Sequence, residues 1–302
     1  MIYTLTLNPA VDYYISADKI TIGEINHSYA ESIQIGGKGI NASIILNELG
    51  VQSVALGYLA GFTGDAVKRV LDKKGIANDF VFLDNGITRI NVKIKTNCET
   101  DINGEGPEID YDAINALLPK FDQIKDGDIL LLAGSIPNSM SHNFYANIVK
   151  KMQNKDVKIV VDSTKSLLTN TLRYKPFLIK PNDTELGEIF NVTISSFDDA
   201  IFYAKKLQDM GAQNVIVSMG SKGAIMVDFC GVTHIVESPK GHQISSVGAG
   251  DSMVAGFLAG FVETNNLNKA LKLGIAAGAA TAFSAGLADR NKIMSVYKLL
   301  PT

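Results

Sequence analysis

Short apolar runs rich in β-branched residues alternate with stretches of helical period along most of the chain. Residues 2–7 (IYTLTL), 53–59 (SVALGYL), 128–134 (DILLLAG), 158–163 (KIVVDS), 177–181 (FLIKP) and 214–220 (NVIVSMG) are nearly continuous in hydrophobicity. Strands covered by helices on both faces read this way. Between them, residues 39–49, 65–74, 142–153, 198–210, 251–263 and 268–285 carry helical periodicity. This alternation predicts an α/β fold with an open, mostly parallel sheet and ligand sites at the carboxyl ends of its strands. Two segments break the rhythm. Residues 12–35 and 88–104 alternate polar and apolar, as half-exposed antiparallel strands do. They predict a small second sheet projecting from a core made of about 1–11, 36–87 and 105–302, all within one domain. The free face of such a sheet can cover a ligand or pair with a second subunit. Plain solvent exposure is the alternative.

The 302 residues suffice to bury a large core. A net charge of -3 gives no electrostatic reason for a nucleic-acid or anionic-membrane partner. Cys98 and Cys230 stand far apart with no CxxC spacing, which argues against a disulfide framework or zinc site and fits a reducing cytoplasm. The start, MIYTLTLNPAVDYY, has no basic region and meets Asp12 early, unlike a secretory signal. The uncharged run between Lys272 and Asp289 falls short of the ~20 residues that span a bilayer and predicts a tightly packed internal helix. These features imply a soluble, cytoplasmic protein.

The candidate chemistry concentrates in VGAGDSMVAGFLAGF (247–261). A helix N-terminus carries unpaired N–H groups and positive dipole, so it attracts anions. Here Asp251 opens the helix, and it could simply cap it. Gly248 and Gly250 leave the adjoining backbone bare, which a phosphate pressed on these amides requires and a cap does not. A base beside an anion hole suits phosphoryl transfer. A Walker A loop is absent: Ser32 stands where its first glycine belongs, and Gly39 follows Gly37-Lys38. The dinucleotide pattern GxGxxG/A is met loosely at 37–42, which keeps a nicotinamide oxidoreductase in view.

Three segments in order, GGKGINAS (36–43), KPNDTE (180–185) and VGAGDSMVAG (247–256), resemble the PfkB, or ribokinase-like, carbohydrate kinases. TLTLNPAVD (4–12), TRINVKI (88–94) and GEGPEI (104–109) resemble the branch acting on phosphorylated ketohexoses. The resemblance implies a three-layer α/β/α core with a small β-sheet lid, ATP and Mg²⁺ as cofactors, and a homodimer formed through the lid. It implies Asp251 as catalytic base, with the Gly248, Ala249 and Gly250 amides holding the transferring phosphoryl group. Lys180, Asn182, Ser218, Gly220 and Gly223 would contact the nucleotide, and Glu185 with Asn182 would place the Mg²⁺. A capping box explains the Asn182/Glu185 spacing equally, and a hairpin turn explains SMGSKGA. Asp12, Gly37, Lys38, Asn41 and Arg89 fall at sugar positions. Arg89 suits an anionic phosphate, though a solvated lid charge would look the same.

The chain departs from that branch in having His27 and Ile44 where arginine is common. The resemblance implies phosphorylation of a ketohexose monophosphate. D-fructose 1-phosphate comes first, tagatose 6-phosphate second, and fructose 6-phosphate third. A non-catalytic sugar-phosphate sensor is the remaining alternative, although it would be expected to lack Asp251 or Glu185.

Overall fold

The structure is a computed structural model that describes residues 1–301. Nine strands form the main sheet: β1 (Ile2–Thr6), β4 (Ser53–Ala60), β5 (Ala77–Leu83), β8 (Ile129–Ala133), β9 (Lys158–Asp162), β10 (Leu178–Ile179), β11 (Asn214–Ser218), β12 (Gly223–Val227) and β13 (Thr233–Glu237). The order is β13-β12-β11-β10-β9-β8-β1-β4-β5. Pairing is parallel from β11 through to β5, while β12 and β13 join the far edge by antiparallel pairing. A second sheet has the order β3-β2-β6-β7 and consists of β2 (Ala10–Ser16), β3 (Ala30–Gly36), β6 (Arg89–Lys95) and β7 (Glu99–Asn103). These are the segments whose polar–apolar alternation set them apart.

The helices are α1 (Lys38–Glu48), α2 (Gly61–Lys73), α3 (Tyr111–Leu117), α4 (Phe144–Met152), α5 (Lys165–Thr169), α6 (Asp183–Phe190), α7 (Phe197–Asp209), α8 (Ala249–Thr264), α9 (Leu267–Ala282) and α10 (Arg290–Tyr297). Successive strand residues feed opposite faces of the sheet. Leu130 and Leu132 join one apolar cluster, with Tyr145 and Ile148 of α4, while Ile129 and Leu131 join the other, with Phe257 of α8 and Ile275 of α9. A third cluster packs Val11 of the small sheet on Ile40 and Ile44 of α1. Burying Ile44 there is a packing role for the residue that stands where the branch often has arginine.

Helix α9 overlaps that uncharged run, as its Gly/Ala content predicts, and no helix is long and apolar enough to cross a membrane among the described residues. Small residues let it press on α8. A Cβ at Gly274 would lie 2.7 Å from the Met253 carbonyl oxygen, and one at Gly256 would lie 2.6 Å from that of Leu273. This close packing anchors α8, the helix that carries Asp251.

From β1 the chain runs outward through β4 and β5, then returns to place β8 on the other side of β1. Such a switch point opens a crevice at the carboxyl ends of the strands. Thr6, Ala133, Asp162, Lys180 and Ser218 all stand at or just beyond those ends. The small sheet rises from the same edge, because β2 follows β1 after three residues.

Candidate active site

Two cavities open at this crevice. One, of about 720 Å³, is lined by Lys180, Asn182, Ser218, Gly220, Gly223 and Phe283 among others. The second, of about 310 Å³, lies under the small sheet and is lined by Asn8, Asp12, Gly37, Asn41, Arg89 and Asn91 among others. Lys38, Glu185, Gly248 and Asp251 line both. The structure therefore gathers every candidate residue around one junction, with Asp251 at its centre.

Asp251 is buried, and Asn41 Nδ2 donates to its Oδ2 at 2.7 Å. Burial, and then the neighbouring Asp162 carboxylate, push its pKa up to about 6; Lys38, the Asn41 bond and Lys180 oppose this. A carboxylate with such a pKa is a competent base near neutral pH. Gly248 precedes α8 at φ 77°, a left-handed conformation that glycine adopts without strain. The Ala249 amide donates to the Ser246 carbonyl at 3.3 Å, so of the three candidate amides it is the one already engaged. The Gly250 Cα faces Lys180, whose ammonium would be 3.5 Å from a Cβ there.

Asp162 is a residue that the sequence alone does not single out. It is 1% exposed at the end of β9, and its Oδ1 lies 3.1 Å from Lys38 Nζ and 3.2 Å from Lys180 Nζ. Burial alone would raise its pKa, but the two ammonium groups outweigh that and hold it below the usual carboxylate value. Lys38 moves upward for the reciprocal reason: burial works against its charge, and Asp162, Asp251 and Glu185 more than compensate. An acid closing a buried apolar strand of a parallel sheet was the available signal.

Asn182 and Glu185 do form the capping box: Asn182 Oδ1 accepts from the Glu185 amide at 2.7 Å, and Glu185 Oε2 accepts from the Asn182 amide at 2.9 Å. Glu185 Oε1 is left facing Lys38 Nζ at 3.9 Å. No cluster of three or more His, Cys, Asp or Glu set to hold a metal occurs among the described residues. Ser218 bridges to Asn182, and the 220–222 turn leads from β11 into β12, so the hairpin and the cavity wall are the same structure.

The smaller cavity holds a concentration of unsatisfied polarity. Thr6 Oγ1, Asn8 Oδ1, Arg89 Nε and Asn91 Oδ1 are buried without a hydrogen-bond partner, and all four residues line it. Each such atom costs on the order of 1–3 kcal/mol when left unpaired. Four such atoms in the walls of one cavity set it apart as a polar-ligand site rather than an apolar void. Asp12 is buried and accepts from Asn91 Nδ2 at 2.7 Å, which turns its carboxylate toward Gly36. Arg89 has one weak contact, Nη1 to the Gly104 carbonyl at 3.4 Å, and no ion pair among the described residues. Burial draws its pKa down, with Asp12 opposing. Thr6, Asn8 and Asn91 were not singled out from sequence because uncharged polar residues near strands are unremarkable until their neighbours are known.

A helix start with free backbone amides, a buried acid and a cation pair between two ligand-sized cavities make an arrangement suited to moving a charged group between small molecules. The chain belongs to the pfkB family of carbohydrate kinases, whose family model matches residues 6–293. It is 44% identical to the 1-phosphofructokinase of Bacillus subtilis (strain 168), over 100% of this chain and 98% of that one. It is 35% identical to the D-tagatose-1-phosphate kinase of Bacillus licheniformis, over 97% and 96% of the two chains. Among solved structures, phosphofructokinase-2 from Escherichia coli in complex with substrates and products matches with a TM-score of 0.93 at 27% identity, over 99% of both chains. The chain is thus a phosphotransferase with an alcohol acceptor, and family membership implies ATP as the donor. The α/β core and small sheet expected from the resemblance are the architecture found, and the nicotinamide reading falls away.

Proposed function

We propose that the enzyme phosphorylates the C6 hydroxyl of D-fructose 1-phosphate, yielding fructose 1,6-bisphosphate. The observation that carries this is the meeting of the two cavities at Asp251. ATP occupies the larger one, and the sugar fills the smaller, where four buried polar atoms lack partners. Two of the relatives are named for ketohexose 1-phosphates, one fructose and one tagatose, and both substrates leave C6 as the free primary alcohol. Tagatose 6-phosphate, which would present C1 instead, is the second reading. Initial rates with MgATP and fructose 1-phosphate, fructose 6-phosphate, tagatose 1-phosphate and tagatose 6-phosphate decide it. A preference for a 6-phosphate by kcat/KM would overturn the assignment.

In this mechanism Asp12 and Asn41 orient the sugar, with Gly37 giving backbone access. Asp251 accepts the proton of the attacking hydroxyl. The free amides of the 248–250 turn and the Lys38 and Lys180 ammonium groups stabilise charge on the transferring phosphoryl group. Glu185 Oε1, which faces Lys38 and is not used by the capping box, would hold a hydrated Mg²⁺, an ion that needs few protein ligands, with Asn182 keeping the glutamate in place. When bound, that ion offsets phosphate charge. Ser218, Gly220 and Gly223 border the rest of the nucleotide.

Arg89 pairs with the phosphate already on the sugar. Arg89→Ala should therefore raise KM for the sugar phosphate about tenfold or more and leave KM for ATP nearly unchanged, as loss of one charge-assisted contact would. Steady-state kinetics at saturating cosubstrate tests this, and the reverse pattern would move Arg89 to the nucleotide.

The protein forms a homodimer through the small sheet. Tyr13, Ile33, Val92 and Ile102 share one row across its outer face, and Ile33 and Ile102 are 68% and 59% exposed. A continuous apolar sheet face of this kind is normally covered. Light scattering at micromolar concentration should give twice the 32.4 kDa chain mass. A monomer would refute the pairing.

A further inference from the structure

The face of the small sheet turned toward the sugar cavity carries a cation that the mechanism above leaves without a task. Lys93 lies on β6, two positions beyond Asn91 and four beyond Arg89, so alternation puts all three on one side. It is the Asp12 side, since Asp12 pairs in register with Asn91, and Tyr14 with Lys93. Lys93 lines the 310 Å³ cavity, and its side chain is only 14% exposed. Its ammonium lies 2.8 Å from Asp101 Oδ2, directly opposite on β7, and that aspartate side chain is 48% exposed.

Resting on the reading of the substrate as a ketohexose monophosphate, we propose that Lys93 is the second cation for the phosphate the sugar already carries. It thereby helps determine that phosphorylated sugars are preferred over free ones. A sugar phosphate brings close to two negative charges at neutral pH into a cavity whose wall already holds the Asp12 carboxylate. Lys38 also lines the cavity but is paired with Asp162 and assigned to the transferring phosphoryl group, which leaves Arg89 to offset one of those charges. Lys93 is the other cation of the small sheet that lines this cavity, and Asp101 holds its ammonium at 2.8 Å. Asp101 is well solvated, so the lysine can be shared with an arriving phosphate without stranding a buried carboxylate. Lys93 adds charge without a fixed fork, which complements the directional guanidinium of Arg89.

The competing account is a cross-strand ion pair that only stabilises the β6–β7 hairpin, in which case losing either partner has the same effect. Calorimetric titration of the full chain with D-fructose 1-phosphate, without nucleotide, separates the two. Lys93→Met should weaken binding about tenfold or more, as expected for a lost charge-assisted contact, and Lys93→Arg should recover most of it. Asp101→Asn should leave affinity unchanged or improve it. In turnover, Lys93→Met should raise KM for the sugar phosphate with kcat nearly kept. The proposal is overturned if Lys93→Met binds within about twofold of wild type, or if Asp101→Asn weakens binding equally. Parallel titrations with fructose 6-phosphate and tagatose 6-phosphate keep this test separate from the choice of substrate. If wild type binds one of those instead and Lys93→Met weakens it, the sugar assignment falls and the Lys93 assignment stands. If wild type binds no phosphorylated ketohexose, the Lys93 assignment falls too.

Discussion

Asp251→Asn should lose about 10²–10⁴ in kcat, the scale of general base catalysis, while KM for both substrates stays near wild type. The substitution is nearly isosteric, and its amide can turn its oxygen to accept the same Asn41 Nδ2 bond. Stability should not fall with activity. The pKa of Asp251 is raised in the folded protein, so its ionised form opposes folding: the contribution of this group to stability is greatest below the unfolded value and is lost as pH rises through about 6. Replacing it with a neutral amide removes that penalty at pH 7.5, and Tm should hold or rise. Melting curves beside single-turnover rates separate the chemical role from a structural one. Turnover like that of wild type would remove Asp251 from the mechanism. In the wild type, kcat/KM should drop below about pH 6, where the free enzyme's base takes up its proton.

Asp162→Ala should destabilise the protein by about 3–5 kcal/mol, because it leaves two neighbouring ammonium groups around a vacated buried position. Lys180 is 3% exposed and cannot reach water instead. The sign with pH is opposite to that of Asp251. The folded pKa of Asp162 lies below its usual value, so its contribution is present above the unfolded pKa and is lost as pH falls through the folded one. The alanine variant should therefore lose most stability near neutrality and approach wild type in acid. Chemical denaturation at pH 7.5 and at stepped pH values below the ordinary aspartate value of 3.8 measures both. Asp162→Asn keeps an acceptor for the lysines and should fold well enough for kinetics. Since the Asp162 charge is one of the forces raising the Asp251 pKa, neutralising it should move the acid limb of kcat/KM to lower pH. An unmoved limb would uncouple the two carboxylates.

These two residues also show what kind of information each level of description holds. Asp251 was legible because its neighbours in sequence are its neighbours in space: the glycines, the helix start and the acid lie within four positions. The same locality made the strand–helix alternation, the small sheet and the KPNDTE helix start readable. The capping box at Asn182 and Glu185 shows the limit of such reading, since one spacing suits a helix cap and a ligand-facing side chain alike, and here the capping pair also lines the larger cavity.

Asp162, Asn8, Asn91 and Lys93 were not legible in the same way. The first three gain their meaning from partners far away in the chain, Asp162 from Lys38 across 124 positions, Asn8 from Glu105 across 97 and Asn91 from Asp12 across 79, and Lys93 gains it from the cavity that its sheet face covers. Hydrophobic period and turn chemistry are short-range properties, and they determined the layers, the segments of the small sheet and the glycine-rich helix start. Which side chains converge at the crevice was decided by the order of strands in the sheet. That order brings the ends of β1, β8, β9 and β10 side by side, and the resulting burial sets the charges and pKa values on which the chemistry runs.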